Sequence, residues 1–207
     1  MDLWQRVMGM LLWAPMKLAY RLRAEGMENL PSGGHVLASN HLSNFDPWIV
    51  AYPLWPRRRI RSMAKAELFN PFLRRLLRAS GAFPVHRGRP DPEAFKTAIE
   101  IVQSGEVLLI FPEGVRRNKG RWKRKRRKPH PASGAARIAL AAKVPLVPVA
   151  IIGTDRLTRL GPVRMSVGPP IQTDDLEGSP NQREAAKIAT ERLMAEIRRL
   201  EAELRAR

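Results

Sequence analysis

Short runs of consecutive apolar residues alternate along this chain with stretches whose apolar positions recur every three or four residues. The alternation predicts an α/β domain, because unbroken apolar runs suit strands covered on both faces while the wider spacing suits helices with one buried stripe. Strands are expected at His35–Ser39, Arg59–Lys65, Ala82–His86, Val107–Phe111 and Leu146–Ile152, with another near the sheet edge at Val163–Val167. Helices are expected from Asp46 to a stop before Pro53 or Pro56, and at Phe69–Arg78, Asp91–Ser104, Gly134–Lys143 and Gln182–Arg207. Two of these begin with an Asp-Pro pair, Asp46-Pro47 and Asp91-Pro92. A carboxylate there can cap the helix, and the missing proline N–H costs nothing in the first turn. The predicted fold is a single α/β domain over residues 21–207, with a mixed, largely parallel central sheet flanked by helices.

Residues 1–20 stand apart. Within the stretch from Leu3 to Tyr20, an apolar core from Val7 to Met16 is broken by Pro15 and flanked by Arg6 and Lys17. It falls short of the roughly 20 consecutive apolar residues that span a bilayer, and no small-residue cleavage site follows it. An amphipathic helix is expected, with Trp4, Met8, Leu11 and Leu12 able to share a face. Such a helix either lies in a membrane interface or packs on the core.

Composition narrows the chemistry. The 207 residues are enough for one domain with a core. The absence of Cys excludes disulfides, a thiolate nucleophile and Cys-ligated zinc. The 37 Lys and Arg against 19 Asp and Glu give a formal charge of +18, which calls for a polyanionic or negatively charged partner. Ten of the thirteen residues from Arg116 to Lys128 are cationic; without them 27 basic residues face 19 acidic ones, an excess of only +8. A basic loop, 116–130, is therefore carried by a moderately basic domain.

With four His and no Cys, acid–base chemistry has few places to reside. His41 follows a buried strand and Asp46 lies five residues on. On a straight helix the two would diverge by about 140°, so they meet only if the chain turns between them, and Ser43 and Asn44 suit a turn. A His held by a carboxylate can take a proton from a hydroxyl. Spacing alone equally admits a solvent-facing His beside a helix cap. A second cluster, Phe111-Pro112-Glu113-Gly114-Val115-Arg116, closes the apolar run VLLIF at the strand end where open α/β sheets place ligands. Arg116 suits a phosphate, although an ordinary turn with a solvated salt bridge would read the same way.

Four blocks in order carry a resemblance: Asn40-His41-x4-Asp46, Gly81-Ala82-Phe83-Pro84-Val85-His86-Arg87, Phe111-Pro112-Glu113-Gly114, and Val144-Pro145-Leu146-Val147-Pro148-Val149. Over residues 20 to 172 the chain resembles the glycerolipid acyltransferase family, in particular its bacterial 1-acylglycerol-3-phosphate acyltransferases. The resemblance implies a glycerol-3-phosphate acyltransferase-like fold. It also implies transfer of an acyl group from acyl-CoA or an acyl-carrier protein to the free hydroxyl of a lysophosphatidate, in phospholipid biosynthesis. His41 would be the general base and Asp46 its orienting partner. Lys65, Arg87 and Arg116 would hold the phosphate, with Glu113 and Gly114 at the acceptor site. No metal or organic cofactor is implied. The chain departs from the family at Val115 and Arg117, where Thr and Ser are usual, and at Pro84 and His86; another lysolipid acceptor stays open.

The expected partners are the two substrates and an anionic membrane surface, met by the basic loop at the cytoplasmic face of the cell membrane, or an acidic carrier protein. A nucleic-acid-binding protein would share the charge. It would leave the His41/Asp46 spacing and the Phe111–Gly114 turn unexplained, so no nucleic-acid partner is expected.

Overall fold

The computed structural model describes residues 17–86, 90–114 and 131–207, together with 7 and 88. The helix expected over 1–20 lies outside the described residues except at Val7 and from Lys17 on, and so do Arg87, Arg116 and the basic loop. The described strands are β1 (Arg23–Glu25), β2 (His35–Ser39), β3 (Ile60–Lys65), β4 (Ala82–Val85), β5 (Val107–Ile110), β6 (Leu146–Ile152) and β7 (Arg164–Val167). They form one sheet in the order β1-β7-β6-β2-β5-β3-β4. Every neighbouring pair is parallel except β6 and β7, so β2 to β6 all point the same way. This is the mixed, largely parallel sheet that the apolar runs predict.

The described α-helices are α1 (Asp46–Ala51), α2 (Arg74–Ala79), α3 (Pro92–Gln103), α4 (Gly134–Ala142) and α5 (Gln182–Ala206). Side chains of α3, α4 and α5 form one core with Val36, Ala38, Leu108 and Leu146. Val50 of α1 and the following Leu54 join Leu37, Val107, Leu109, Val147 and Val149 in a second core. Successive residues of β2 and β5 thus feed opposite cores, as the two-residue side-chain period of a strand requires. Because both faces are covered, all five residues of β2 are buried. The small Ala residues of α4 and α5, such as Ala136, Ala139, Ala186 and Ala189, let these helices close on the sheet. Each fully buried Leu or Ile beneath them stabilises the fold by about 1.5–3 kcal/mol.

Three local expectations are corrected. The strand β1 was not foreshadowed, since Arg-Ala-Glu is too short and polar to signal one; its main-chain pairing with β7 makes it a strand. The helix expected over 69–78 is shorter. Residues Ala66–Leu68 form a 3-10 turn, and the Asn70 side chain then accepts the Leu73 N–H at 2.9 Å, starting a new helical turn. Asp46 does not cap its own helix: the Trp48 and Ile49 N–H groups donate to the Phe45 carbonyl, while the Asp46 carboxylate points back into the preceding loop. Asp91 does cap, accepting the Ala94 N–H at 3.1 Å.

Candidate active site

Because β2 to β6 run parallel, their C-terminal ends share one sheet edge, and the loops that leave it carry the candidate residues. Central strand β2 ends at Ser39, and the chain must then turn out of the sheet. Asn40, fully buried, manages the exit. Its Nδ2 donates to the Ile151 carbonyl and its Oδ1 accepts the Ile151 N–H, both at 2.8 Å. The side chain continues the β2–β6 ladder beyond the last main-chain pair, Ser39 with Val149, and so fixes where His41 departs. Asn40 stands in the first sequence block but was not among the expected site residues. An amide side chain directly after a strand that is buried throughout was the available signal.

His41 and Asp46 do meet. One carboxylate oxygen, Oδ2 of Asp46, lies 2.8 Å from His41 Nδ1 and also accepts the main-chain N–H groups of Leu42 at 2.6 Å and Ser43 at 2.8 Å. Three donors on one oxygen suit an ionised carboxylate. With Oδ2 as acceptor, Nδ1 is the protonated ring nitrogen, and Nε2 keeps a lone pair able to accept a proton. The Asp46 side chain is 0% exposed and that of His41 13%. The two N–H donors hold the carboxylate in place, and the carboxylate sets the tautomer.

A second contact ties the first block to the third. The Phe111 ring stacks on the His41 imidazole, with centroids 4.2 Å apart and planes 24° from parallel. Phe111 leaves β5 into a turn closed by the Gly114 N–H donating to the Phe111 carbonyl at 3.0 Å. Gly114 has φ +66°, a left-handed conformation that favours glycine. The apolar run hid Phe111's second role, since a Phe at a strand end reads first as core. Glu113 and Gly114 stand on this turn, half-buried and outside the groove lining described next.

An open groove of about 410 Å³ runs from His41 along β3, bounded by residues of α1, by Leu77 and by Phe111 at the end of β5. Lys65, the last residue of β3, lines it together with His41. Trp48, Met63, Leu77 and Phe111 give it an apolar wall. A cation, a candidate base and an apolar wall thus share one cleft, as an amphiphilic molecule would need. Among the described residues no three His, Cys, Asp or Glu side chains converge as a metal site would require. Of the other candidate phosphate ligands, Arg87 and Arg116 lie outside the described residues.

Comparison with known proteins fits this frame. A sequence profile of the acyltransferase family matches residues 21–152. The chain is 34% identical over 182 residues to the 1-acyl-sn-glycerol-3-phosphate acyltransferase of Bacillus subtilis (strain 168), covering 86% of each chain. The chain belongs to the acyltransferase family. A second relative of the same name, from Streptococcus pneumoniae (strain ATCC BAA-255 / R6), is 30% identical over 199 residues, 94% of this chain and 70% of its own. The crystal structure of the 1-acyl-sn-glycerophosphate acyltransferase from Thermotoga maritima superposes with a TM-score of 0.63 at 24% identity, covering 100% of this acyltransferase and 85% of that chain. That likeness speaks for the fold. In this acyltransferase no described helix is long and apolar enough to cross a membrane.

Proposed function

We propose that this acyltransferase moves a fatty acyl group from an acyl thioester to the free hydroxyl of 1-acylglycerol-3-phosphate, giving phosphatidate. The relatives' names supply the acceptor. The observation that carries the chemistry is the 2.8 Å contact between His41 Nδ1 and the buried Asp46 carboxylate, beside a groove that also holds Lys65.

In this reading Nε2 of His41 takes the proton of the acceptor hydroxyl as its oxygen attacks the thioester carbonyl. The resulting tetrahedral oxyanion collapses, the carbon–sulfur bond breaks, and the leaving sulfur takes the proton back from the imidazolium. Asp46 stays ionised and stabilises that imidazolium. The acyl group arrives already activated, so atoms and protons balance without a metal or organic cofactor. Lys65 meets the acceptor phosphate, joined by Arg87 and Arg116, while Glu113 and Gly114 bound the acceptor site. The donor is acyl-CoA or acyl-carrier protein. The reaction sits at the cytoplasmic face of the membrane, where the basic loop faces anionic lipid.

Purified protein given acyl-CoA and 1-acylglycerol-3-phosphate is expected to release free thiol in step with phosphatidate. Replacing the acceptor with a 1-acylglycerol lacking phosphate should raise KM at least about tenfold, because charge-assisted hydrogen bonds to the phosphate are lost. Equal use of both acceptors would overturn the assignment of the phosphate to Lys65 and its neighbours.

A further inference from the structure

Beside the groove, residues 68–79 show a surface that the reaction itself does not use. Phe72 is 93% exposed, and Leu68, Leu73 and Leu76 are exposed as well. Asn70 begins a helical turn that runs into α2, its carbonyl accepting the Arg74 N–H and its side chain the Leu73 N–H. At about 100° per residue, Phe72, Leu73, Leu76 and Leu77 fall on one arc and Arg74, Arg75 and Arg78 on the opposite one. Leu77 and Leu68 line the groove, so the apolar arc continues into the wall beside His41. Phe45, exposed on the loop between His41 and Asp46, adds to the apolar rim.

Charge says what covers this face. From Pro47 to Pro90 there are ten Arg and Lys and one acidic residue, Glu67. Arg74, Arg75 and Arg78 form no ion pair with a described carboxylate. An exposed apolar arc backed by cations that pair with no described carboxylate is the pattern of a helix lying in the interface of an anionic bilayer. A second copy of the chain would bring the same cations against themselves.

We propose that the segment from Leu68 to Ala79 is a bilayer-contacting surface, with Phe72, Leu73 and Leu76 entering the acyl boundary and Arg74, Arg75 and Arg78 meeting lipid phosphates. The inference rests on the acceptor being a lipid. It adds that the groove mouth is pressed against the membrane, so that the acceptor's phosphate end reaches Lys65 and His41 without the lipid passing through water. The contact is made by residues other than those of the helix expected over 1–20 and of the basic loop.

The test uses the full chain and the double variant Phe72→Ser/Leu76→Ser, both outside the groove lining. Sedimentation is measured with vesicles of phosphatidylcholine and phosphatidylglycerol, and turnover with vesicle-borne and detergent-dispersed acceptor. The variant is expected to bind these vesicles about tenfold less well and to lose turnover on vesicles alike, while keeping its rate in detergent. Arg75→Gln/Arg78→Gln should weaken binding at low salt and lose its effect at high salt. Unchanged sedimentation in both variants overturns the proposal. So does an equal loss of turnover in detergent, which would make the segment part of the groove, or a change in oligomeric state without a change in vesicle binding. If the unaltered chain sediments with vesicles but releases no thiol in detergent, the proposed acceptor fails instead.

Discussion

The chain spells His-x4-Asp twice, at His41–Asp46 and at His86–Asp91, and the two turns differ in what surrounds them. Each follows a parallel strand at the same edge of the sheet, and each brings His Nδ1 to Asp Oδ2, at 2.8 Å in the first and 3.1 Å in the second. In each the same oxygen also accepts main-chain N–H groups of its own turn, two in the first and one in the second. The first turn leaves β2, flanked by β5 and β6; the second leaves β4, an outer strand of the sheet. His86 is accordingly 52% exposed and Asp91 13%, against 13% and 0% for the first pair. Asp91 spends its other oxygen capping α3, and the N–H groups of His86 and Ala94 with the His86 ring hold its carboxyl below the usual carboxylate range. His41 has Phe111 against its face and the groove at its edge. Spacing makes the turn; place in the sheet makes a candidate base.

The sharpest way to break this contrast is to remove each ring. His41→Ala is expected to cut kcat by about 10²–10⁴-fold, the usual contribution of a positioned general base. His86→Ala should leave kcat within about twofold, since a surface change away from the groove perturbs little. Thiol release at saturating substrates reads both. Comparable losses would mean that the outer turn also serves the reaction.

Next in size is the carboxylate. Asp46→Asn keeps the shape but removes the charge that stabilises the imidazolium, and about a hundredfold loss of kcat is expected. Asp91→Asn keeps one oxygen to cap α3 but loses the one that accepts the His86 N–H, so it should lower the melting temperature while leaving kcat within about twofold. If Asp46→Asn kept full turnover, the buried carboxylate would be a fastening for the turn and not a partner of the base.

The strands and most helices were legible because both sheet faces are covered: a run such as VLLIF has no polar residue to confuse its reading. The first His–Asp pair was legible as a spacing, and four blocks in order gave it a chemistry. What stayed hidden depends on neighbours distant in sequence. Asn40 completes a ladder with Ile151, 111 residues on. Phe111 touches His41 only because β5 lies beside β2. The second His-x4-Asp turn was not legible as a pair, since His86 stood only as a strand end and a departure from the family pattern. Asp46 was read as a cap, and its carboxylate turned instead to the loop because three donors there outbid the helix end.

A third histidine supplies the smallest test and separates folding from catalysis. His35 begins the same strand that His41 follows, but it is fully buried, and its Nδ1 meets the Gly33 carbonyl at 2.8 Å where His41 has a carboxylate. Burial lowers its pKa below the ordinary 6.5, partly offset by that carbonyl and reinforced by the charge of Arg58. The unfolded chain therefore binds this proton at a higher pH than the folded one. Above about pH 6.5 the neutral ring costs nothing; as pH falls from there towards the folded pKa, stability is lost, at no more than about 1.4 kcal/mol per pH unit for one proton. Urea unfolding between pH 7.5 and 5 should show that slope, and His35→Leu should flatten it. An unchanged slope in His35→Leu would mean that the buried ring is not what couples this fold to acid.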